Sequence, residues 1–277
     1  MHIGTAGWSI PRDVADAFPG AGTHLERYAR GLDCVEINSS FYRPHRVETY
    51  QRWAATTPPR FRFSAKLPRA ITHDARLRNV REPLERFLAE AGGLGPKLAV
   101  VLVQLPPSLA FDARTAGGFF GRLRASFDGA VVCEPRHASW FTPSADQRLA
   151  EWHVCRAAAD PAPHPAASTP GGWSGSGIEA PGAVRYYRWH GSPRMYWSRY
   201  DHAWLRERAD AVASEAGPGD AWCIFDNTAA GAATVNALEL RALGGREPAP
   251  DDEPASASAS ASASASASAS APRRRRR

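Results

Sequence analysis

The chain has 277 residues, 43% of them hydrophobic, and a formal net charge of +6. That length accommodates one large α/β domain, and the longest apolar run, "LAVVLV" at 98–103, is far too short to cross a bilayer. The opening "MHIGTAGWSI" lacks the basic start and long apolar core of a signal peptide, so a cytoplasmic protein without a membrane partner is expected.

The charge is unevenly placed. Asp251, Asp252, Glu253 and the five arginines at 273–277 contribute +2, leaving +4 on the rest. This balance permits an anionic small molecule or a nucleic acid as partner and requires neither. Lys66 and Lys97 are the only lysines among 34 basic residues. Cys34, Cys133, Cys155 and Cys223 form no CxxC pair and each adjoins an apolar run, which predicts small buried hydrophobes.

In chain order, apolar or alternating runs occur at 2–6, 34–38, 61–66, 98–104, 130–134, 154–160, 183–190 and 221–227. Helical periodicity fills most intervals, at 24–32, 47–55, 83–94, 115–127, 144–152, 203–217 and 229–245. Ser144 is the expected cap of the helix at 144–152, and Gly92–Gly93 the stop of the one at 83–94. The Pro/Gly/Ser-rich stretch 161–177 reads as a mobile lid carrying Trp173 or as a surface insertion. From Pro248 the chain becomes acidic, then alternates Ala and Ser, then ends in arginine. With no large apolar residue to bury, 248–277 is expected to be a disordered tail behind one domain at 1–247.

Eight strand–helix alternations predict a (β/α)₈ TIM-type barrel. An open doubly wound sheet would carry a glycine-rich phosphate loop after its first strand, and "GTAGW" is no GxGxxG. Sites in such barrels lie at strand C-terminal ends. Here those exits carry Gly7 and Trp8; Glu36, Asn38 and Tyr42; Lys66; Gln104; Glu134, Arg136 and His137; Asp160; Arg188, His190 and Gly191; and Asp226 and Asn227. Strand starts are blander, apart from Arg185 and Asp220.

The stretches "IGTAGWS", "VEINSSFYR", "RFRFSAKLPRAITHD", "LGPKLAVVLVQLPP", "EPRHASWF", "RYYRWHG" and "GAATVNALEL" resemble the YecE-like family, a domain of unknown function. The resemblance runs from residue 3 to about 243 and implies a (β/α)₈ barrel. It also brings a proposed likeness to metal-dependent barrel endonucleases. Pro135 stands where the family usually has an aromatic, and "FDNTAAG" departs from its usual last-strand end.

Three readings of the exits follow. In the first, Glu134, Asp160, His190 and Asp226 hold a divalent metal that activates water for hydrolysis of a phosphodiester, DNA included. In the second, metal-free acid–base or Schiff-base chemistry acts on a sugar-like phosphorylated compound, with Lys66 as the amine, unless Lys66 is spent on a salt bridge to Glu36 or Glu134. In the third, exit aromatics and arginines form a non-catalytic nucleic-acid-binding surface. Across these readings Glu36, Lys66, Glu134, His137 and His190 are the catalytic candidates. Trp8, Asn38, Tyr42, Arg136, Trp140, Arg188, Gly191 and Asn227 are the candidates for binding substrate.

Overall fold

The computed structural model describes residues 1–174, 182–215 and 220–244. The expected tail at 248–277, the domain boundary at 247 and part of the 161–177 stretch lie outside the described residues.

Ten strands form one sheet: β1 (His2–Ala6), β2 (Cys34–Ile37), β3 (Arg62–Lys66), β4 (Leu98–Gln104), β5 (Ala130–Glu134), β6 (Cys155–Arg156), β7 (Ala158–Asp160), β8 (Gly171–Gly172), β9 (Arg185–Trp189) and β10 (Ala221–Phe225). Their order is β7-β9-β10-β1-β2-β3-β4-β5-β6-β8. All pairings are parallel except β6 with β8. The barrel closes through the chain itself. β6 and β7 are one run interrupted at Ala157, whose amide donates to Cys133 O at 2.8 Å. The first half of this run pairs with β5 and the second with β9. Counted as one strand, it completes a (β/α)₈ barrel.

Among the described residues, seven α-helices pack outside: α1 (His24–Gly31), α2 (Val47–Ala55), α3 (Arg81–Ala91), α4 (Ala113–Arg124), α5 (Pro143–Glu151), α6 (His202–Ser214) and α7 (Ala232–Leu243). Four of the starts carry side-chain caps. Thr23 and Glu26 form a capping box on α1, and Asp112 and Asp201 accept from backbone amides of α4 and α6. α5 differs from expectation: Thr142 is the cap and Pro143 the first helical residue, because proline's fixed φ and missing N–H suit that position. Ser144 lies inside the first turn. Among the described residues, no helix is long and apolar enough to cross a membrane.

No α-helix follows the split sixth strand among the described residues. Instead the chain doubles back as β8, antiparallel to β6, and Trp173 stacks on His153 with ring centroids 4.7 Å apart. His153 precedes the start of β6, so Trp173 sits at the end of the barrel away from the strand exits. The lid reading of Trp173 is thereby corrected.

Strand side chains alternate between the barrel interior and the helix layer. Val35, Phe63, Val101, Val131, Tyr187 and Cys223 face outward into the main core. Cys34, Val100, Leu102, Ala130, Val132, Tyr186, Trp222 and Ile224 fill the lower interior. All four cysteines are buried and free.

Candidate active site at the barrel mouth

Stepping two residues along each strand keeps a side chain on the inner face. On that face the character changes from apolar to ionisable toward the C-terminal ends. Cys34 is followed by Glu36, Ser64 by Lys66, Val132 by Glu134, Tyr186 by Arg188 and then His190, and Ile224 by Asp226. Six ionisable groups therefore converge above the apolar plug, and each is at most 6% exposed.

Arg188 is the centre of this cluster and is fully buried. Its Nε and Nη2 donate to Glu36 Oε2 and Oε1 at 3.0 and 2.7 Å. Nη2 also donates to Asp226 Oδ2 at 3.0 Å, and Nη1 to Glu134 Oε2. Glu36 is held further by the Tyr186 hydroxyl, which lies 2.9 Å from Glu36 Oε2 and 2.9 Å from Ser64 Oγ. A carboxylate only accepts, so Tyr186 donates to Glu36 and Ser64 donates to Tyr186.

Glu134 takes a second guanidinium: Arg136 Nε and Nη2 lie 3.0 and 2.9 Å from Oε1. Burial raises the pKa of this carboxyl, but Arg188 and Arg136 outweigh it and hold the group well below the usual carboxylate range. Burial opposes charge on His190 too. There, hydrogen bonding to Asp226 and the proximity of Glu134 prevail, and the imidazole pKa is raised. His190 Nδ1 lies 3.0 Å from Asp226 Oδ2. Its Nε2 is buried without a hydrogen-bond partner, 3.5 Å from Glu134 Oε1.

Lys66 differs from these groups. It is 6% exposed, yet within 4.0 Å it pairs with none of the three carboxylates. Arg188 holds both oxygens of Glu36 and one each of Glu134 and Asp226, and the Lys66 ammonium lies instead 4.2 Å from the centre of the Phe41 ring. Burial and the Arg188 charge lower its pKa to about 8, against the pull of Glu36, Glu134 and Asp226. The salt bridge considered for Lys66 is not formed.

Several sequence candidates lie elsewhere. Trp140 is 1% exposed, donates to Leu109 O at 2.9 Å and packs edge-on to Phe111, so it belongs to the barrel wall and cannot touch a substrate. His137 turns back on its own loop, with Nδ1 2.8 Å from Ser139 Oγ. The Asp160 carboxylate accepts from Tyr200 at 2.6 Å and is not drawn into the cluster. Asn227 is fully buried and donates to Ser198 O and Asn236 Oδ1, which makes it a loop anchor. Arg188 and Glu36 are sealed beneath the mouth, so they organise the site without contacting a ligand. Trp8 is half-buried against Trp53, and Tyr42 is 78% exposed. Asn38 Nδ2 lies 3.5 Å from Asp226 Oδ1, while its own Oδ1 is buried without a partner.

The loop after β9 is clamped at its base. Gly191 has φ +91°, and a Cβ there would meet Ser198 O at 2.6 Å, so only glycine fits. Its amide donates to the Tyr200 hydroxyl at 2.9 Å. Sequence reasoning missed Tyr186 and Tyr200. Period-two alternation with Arg188 was the available signal for Tyr186; none existed for Tyr200.

The donor set does not fit a metal ion. Among the described residues no group of three or more His, Cys, Asp or Glu side chains is placed to hold one. The physical reason is Arg188, a fixed cation that already occupies the space a metal would fill between Glu36, Glu134 and Asp226. Asp160 is turned away to Tyr200.

The model of the family described as "Protein of unknown function DUF72" matches residues 2–259. The chain belongs to the DUF72 family. The YecE protein of Escherichia coli (strain K12) is 31% identical over 149 residues, 53% of this chain and 53% of that one. The YunF protein of Bacillus subtilis (strain 168) is 28% identical over 151 residues, 52% of this chain and 53% of that one. The chain thus matches about half the length of each. A DUF72 family protein of Thermotoga maritima MSB8 superposes with a TM-score of 0.69 at 21% identity, covering 88% of this chain and 99% of that one. One from Enterococcus faecalis V583 gives 0.68 at 20% identity, covering 91% and 99%. These likenesses establish the DUF72 barrel fold.

Proposed function

We propose that the mouth of this DUF72 barrel is a metal-free acid–base site for a small carbonyl compound, with Lys66 as the attacking amine and His190 as the proton carrier. The observation that carries this reading is the unpaired Lys66. A lysine buried among three carboxylates would ordinarily be neutralised by one of them. Here a separate arginine takes the carboxylates, leaving an amine with a pKa of about 8. At pH 7 roughly a tenth of such an amine is uncharged and nucleophilic, against fewer than about one in a thousand for an ordinary lysine.

The chemistry is then that of imine formation. The neutral Lys66 nitrogen adds to the carbonyl carbon, the carbonyl oxygen takes up a proton from His190, and the nitrogen gives one proton back to the imidazole. The resulting carbinolamine loses that oxygen as water to leave the imine. His190 suits the proton steps, because its Nδ1 is fixed on Asp226 and its Nε2 makes no hydrogen bond, with Glu134 Oε1 3.5 Å away. Phosphodiester hydrolysis by a bound metal lacks this support in the donor set. The nucleic-acid surface loses Trp140, which is buried in the wall.

The test exploits the two-lysine composition of the chain. Reductive methylation across pH 6–11, read by peptide mass, should give a half-point near 8 for Lys66. Lys97, held by Ala54 O, Thr57 O and Thr57 Oγ1, is the internal comparison. Borohydride reduction with short aldoses, 2-keto acids and their phosphate esters should then leave an adduct on Lys66. An ordinary lysine half-point near 10.5, or no adduct from any of the panel, overturns the assignment.

A further inference from the structure

Tyr196 is a residue out of place. It is a bulky aromatic with φ +68°, a region side chains rarely adopt. Its surroundings hold it there: its amide donates to His190 O at 2.5 Å, and its carbonyl accepts from Ala229 at 3.1 Å. Next to it, Ser198 is fixed by Asn227 at 2.9 Å. This backbone carries the Tyr196 ring over the imidazole of His190, edge-on, with centroids 5.6 Å apart. By contrast the hydroxyl has one weak tie, a 3.4 Å contact from Arg136 Nη1, and the residue is 38% exposed.

Beneath that hydroxyl, positive groups converge. Arg136 Nε and Nη2 and His190 Nε2 all approach the same atom, Glu134 Oε1, at 3.0, 2.9 and 3.5 Å. Arg136 Nη1 and His190 Nε2 are the donors this arrangement leaves over. The first has only the long phenol contact; the second has no hydrogen bond although His190 is 1% exposed. The formal charges agree. Arg188, Arg136 and Lys66 balance Glu36, Glu134 and Asp226, and a proton on His190 leaves one positive charge to be answered.

We propose that Arg136 Nη1 holds one anionic oxygen group, a carboxylate or a phosphate, with the His190 imidazole as the neighbouring charge, and that Tyr196 is the gate that occupies this subsite when empty. The phenol oxygen marks the place of a ligand oxygen, and entry exchanges the single long Tyr196–Arg136 contact for a charge-assisted bond. This rests on the reading of the mouth as a small-molecule site and names its substrate class: a carbonyl compound bearing an anionic group. Lys66 faces the carbonyl end and Arg136 the anionic end.

The test uses sodium phosphate and sodium acetate as probes, with sodium chloride at equal ionic strength as control. Binding is read by the rise in Tm and by saturation in calorimetry. The full-length protein should bind one of the two anions saturably beyond the chloride control. Whichever binds more tightly identifies the group as phosphate or carboxylate. Tyr196→Phe keeps the ring and removes the competing hydroxyl, so affinity should rise several-fold. Arg136→Lys keeps the charge and removes Nη1, so affinity should fall about tenfold. Anion effects equal to chloride, or affinities unchanged in both variants, overturn the subsite. The two assignments fail separately: an ordinary Lys66 half-point with Arg136-dependent anion binding removes the amine chemistry and keeps the subsite. A Lys66 half-point near 8 with indifferent anion binding does the reverse.

Discussion

Burying the Lys66 ammonium beside Arg188 works against folding. The amine ionises at about 8 in the fold and at 10.5 when it is free in water, as in the unfolded chain. Between these values the unfolded chain holds a proton the folded one has released, so unfolding free energy rises with pH across that window. Below it, the charged amine is a full penalty, on the order of 3 kcal/mol for a shift of this size. Lys66→Met fits the space beside Phe41 and carries no charge. It should therefore be more stable than the parent at pH 7 by up to about 3 kcal/mol. The difference should shrink toward zero as pH rises from 8 to 10.5. Urea unfolding of both proteins at pH 7 and pH 10 measures it. A variant less stable than the parent at pH 7 would mean that Lys66 is a structural counter-ion to the carboxylates. A stabilising loss would instead identify a residue retained at a cost, as reactive groups are.

At the scale of elements, the split sixth strand is the place where sequence and structure part. Its run at 154–160 was legible as a strand, but the break at Ala157 and the return of Gly171–Gly172 beside it were not. Arg156 adjoins both, preceding Ala157 and pairing with Gly171. This side chain is 2% exposed, pairs with Asp146 through Nε and Nη2 at 2.7 and 3.0 Å, and donates to Ala166 O and Thr169 O at 2.8 and 3.2 Å. A Cβ on Gly171 would lie 2.2 Å from its Nη2, so the bare backbone there makes room for the guanidinium. Arg156 thus fastens the turns that stand where a helix would follow the sixth strand. Arg156→Met leaves two carbonyls without donors and Asp146 with the Gly172 amide alone, a loss of about 1–3 kcal/mol. Amide exchange should quicken across 161–174 and stay unchanged in β1–β4. Unchanged exchange in 161–174 would show that the segment is held by its own packing.

The same period-two rule explains what could be read of the site. Glu36, Lys66, Glu134, Arg188 and Asp226 were legible because regular strands alternate, and alternation also turns Tyr187 and Trp189 outward. His137 and Trp140 lie past the end of β5, in a loop and a short turn where no periodicity constrains direction. Which cation took the carboxylates was not legible either. Arg188 and Lys66 face the same three acids from across the barrel, and only three-dimensional reach decides that Arg188 wins.

For the whole molecule, the polar plug is also a fastening. Arg188 joins β9 to Glu36 on β2, Glu134 on β5 and the end of β10 at Asp226, so one guanidinium ties strands around the barrel. Burial raises the pKa of Glu134 and Asp226, but Arg188 outweighs it and both stand below their ordinary values of 4.5 and 3.8. Their contribution is therefore fully present above those values and is lost as pH falls through the lower folded ones. Because the plug spans the barrel, that loss should be global. Near-ultraviolet and far-ultraviolet dichroism should report one acid transition at the same pH. Glu134→Gln leaves two guanidinia short of an acceptor and should cost about 3–5 kcal/mol at pH 7. Protonation of Glu134 in the parent does the same thing, so the gap between parent and variant should narrow as pH falls below 4.5. A gap independent of pH would mean that Glu134 is not ionised in the fold. Two separated dichroism transitions would mean that the plug secures only its own end of the barrel.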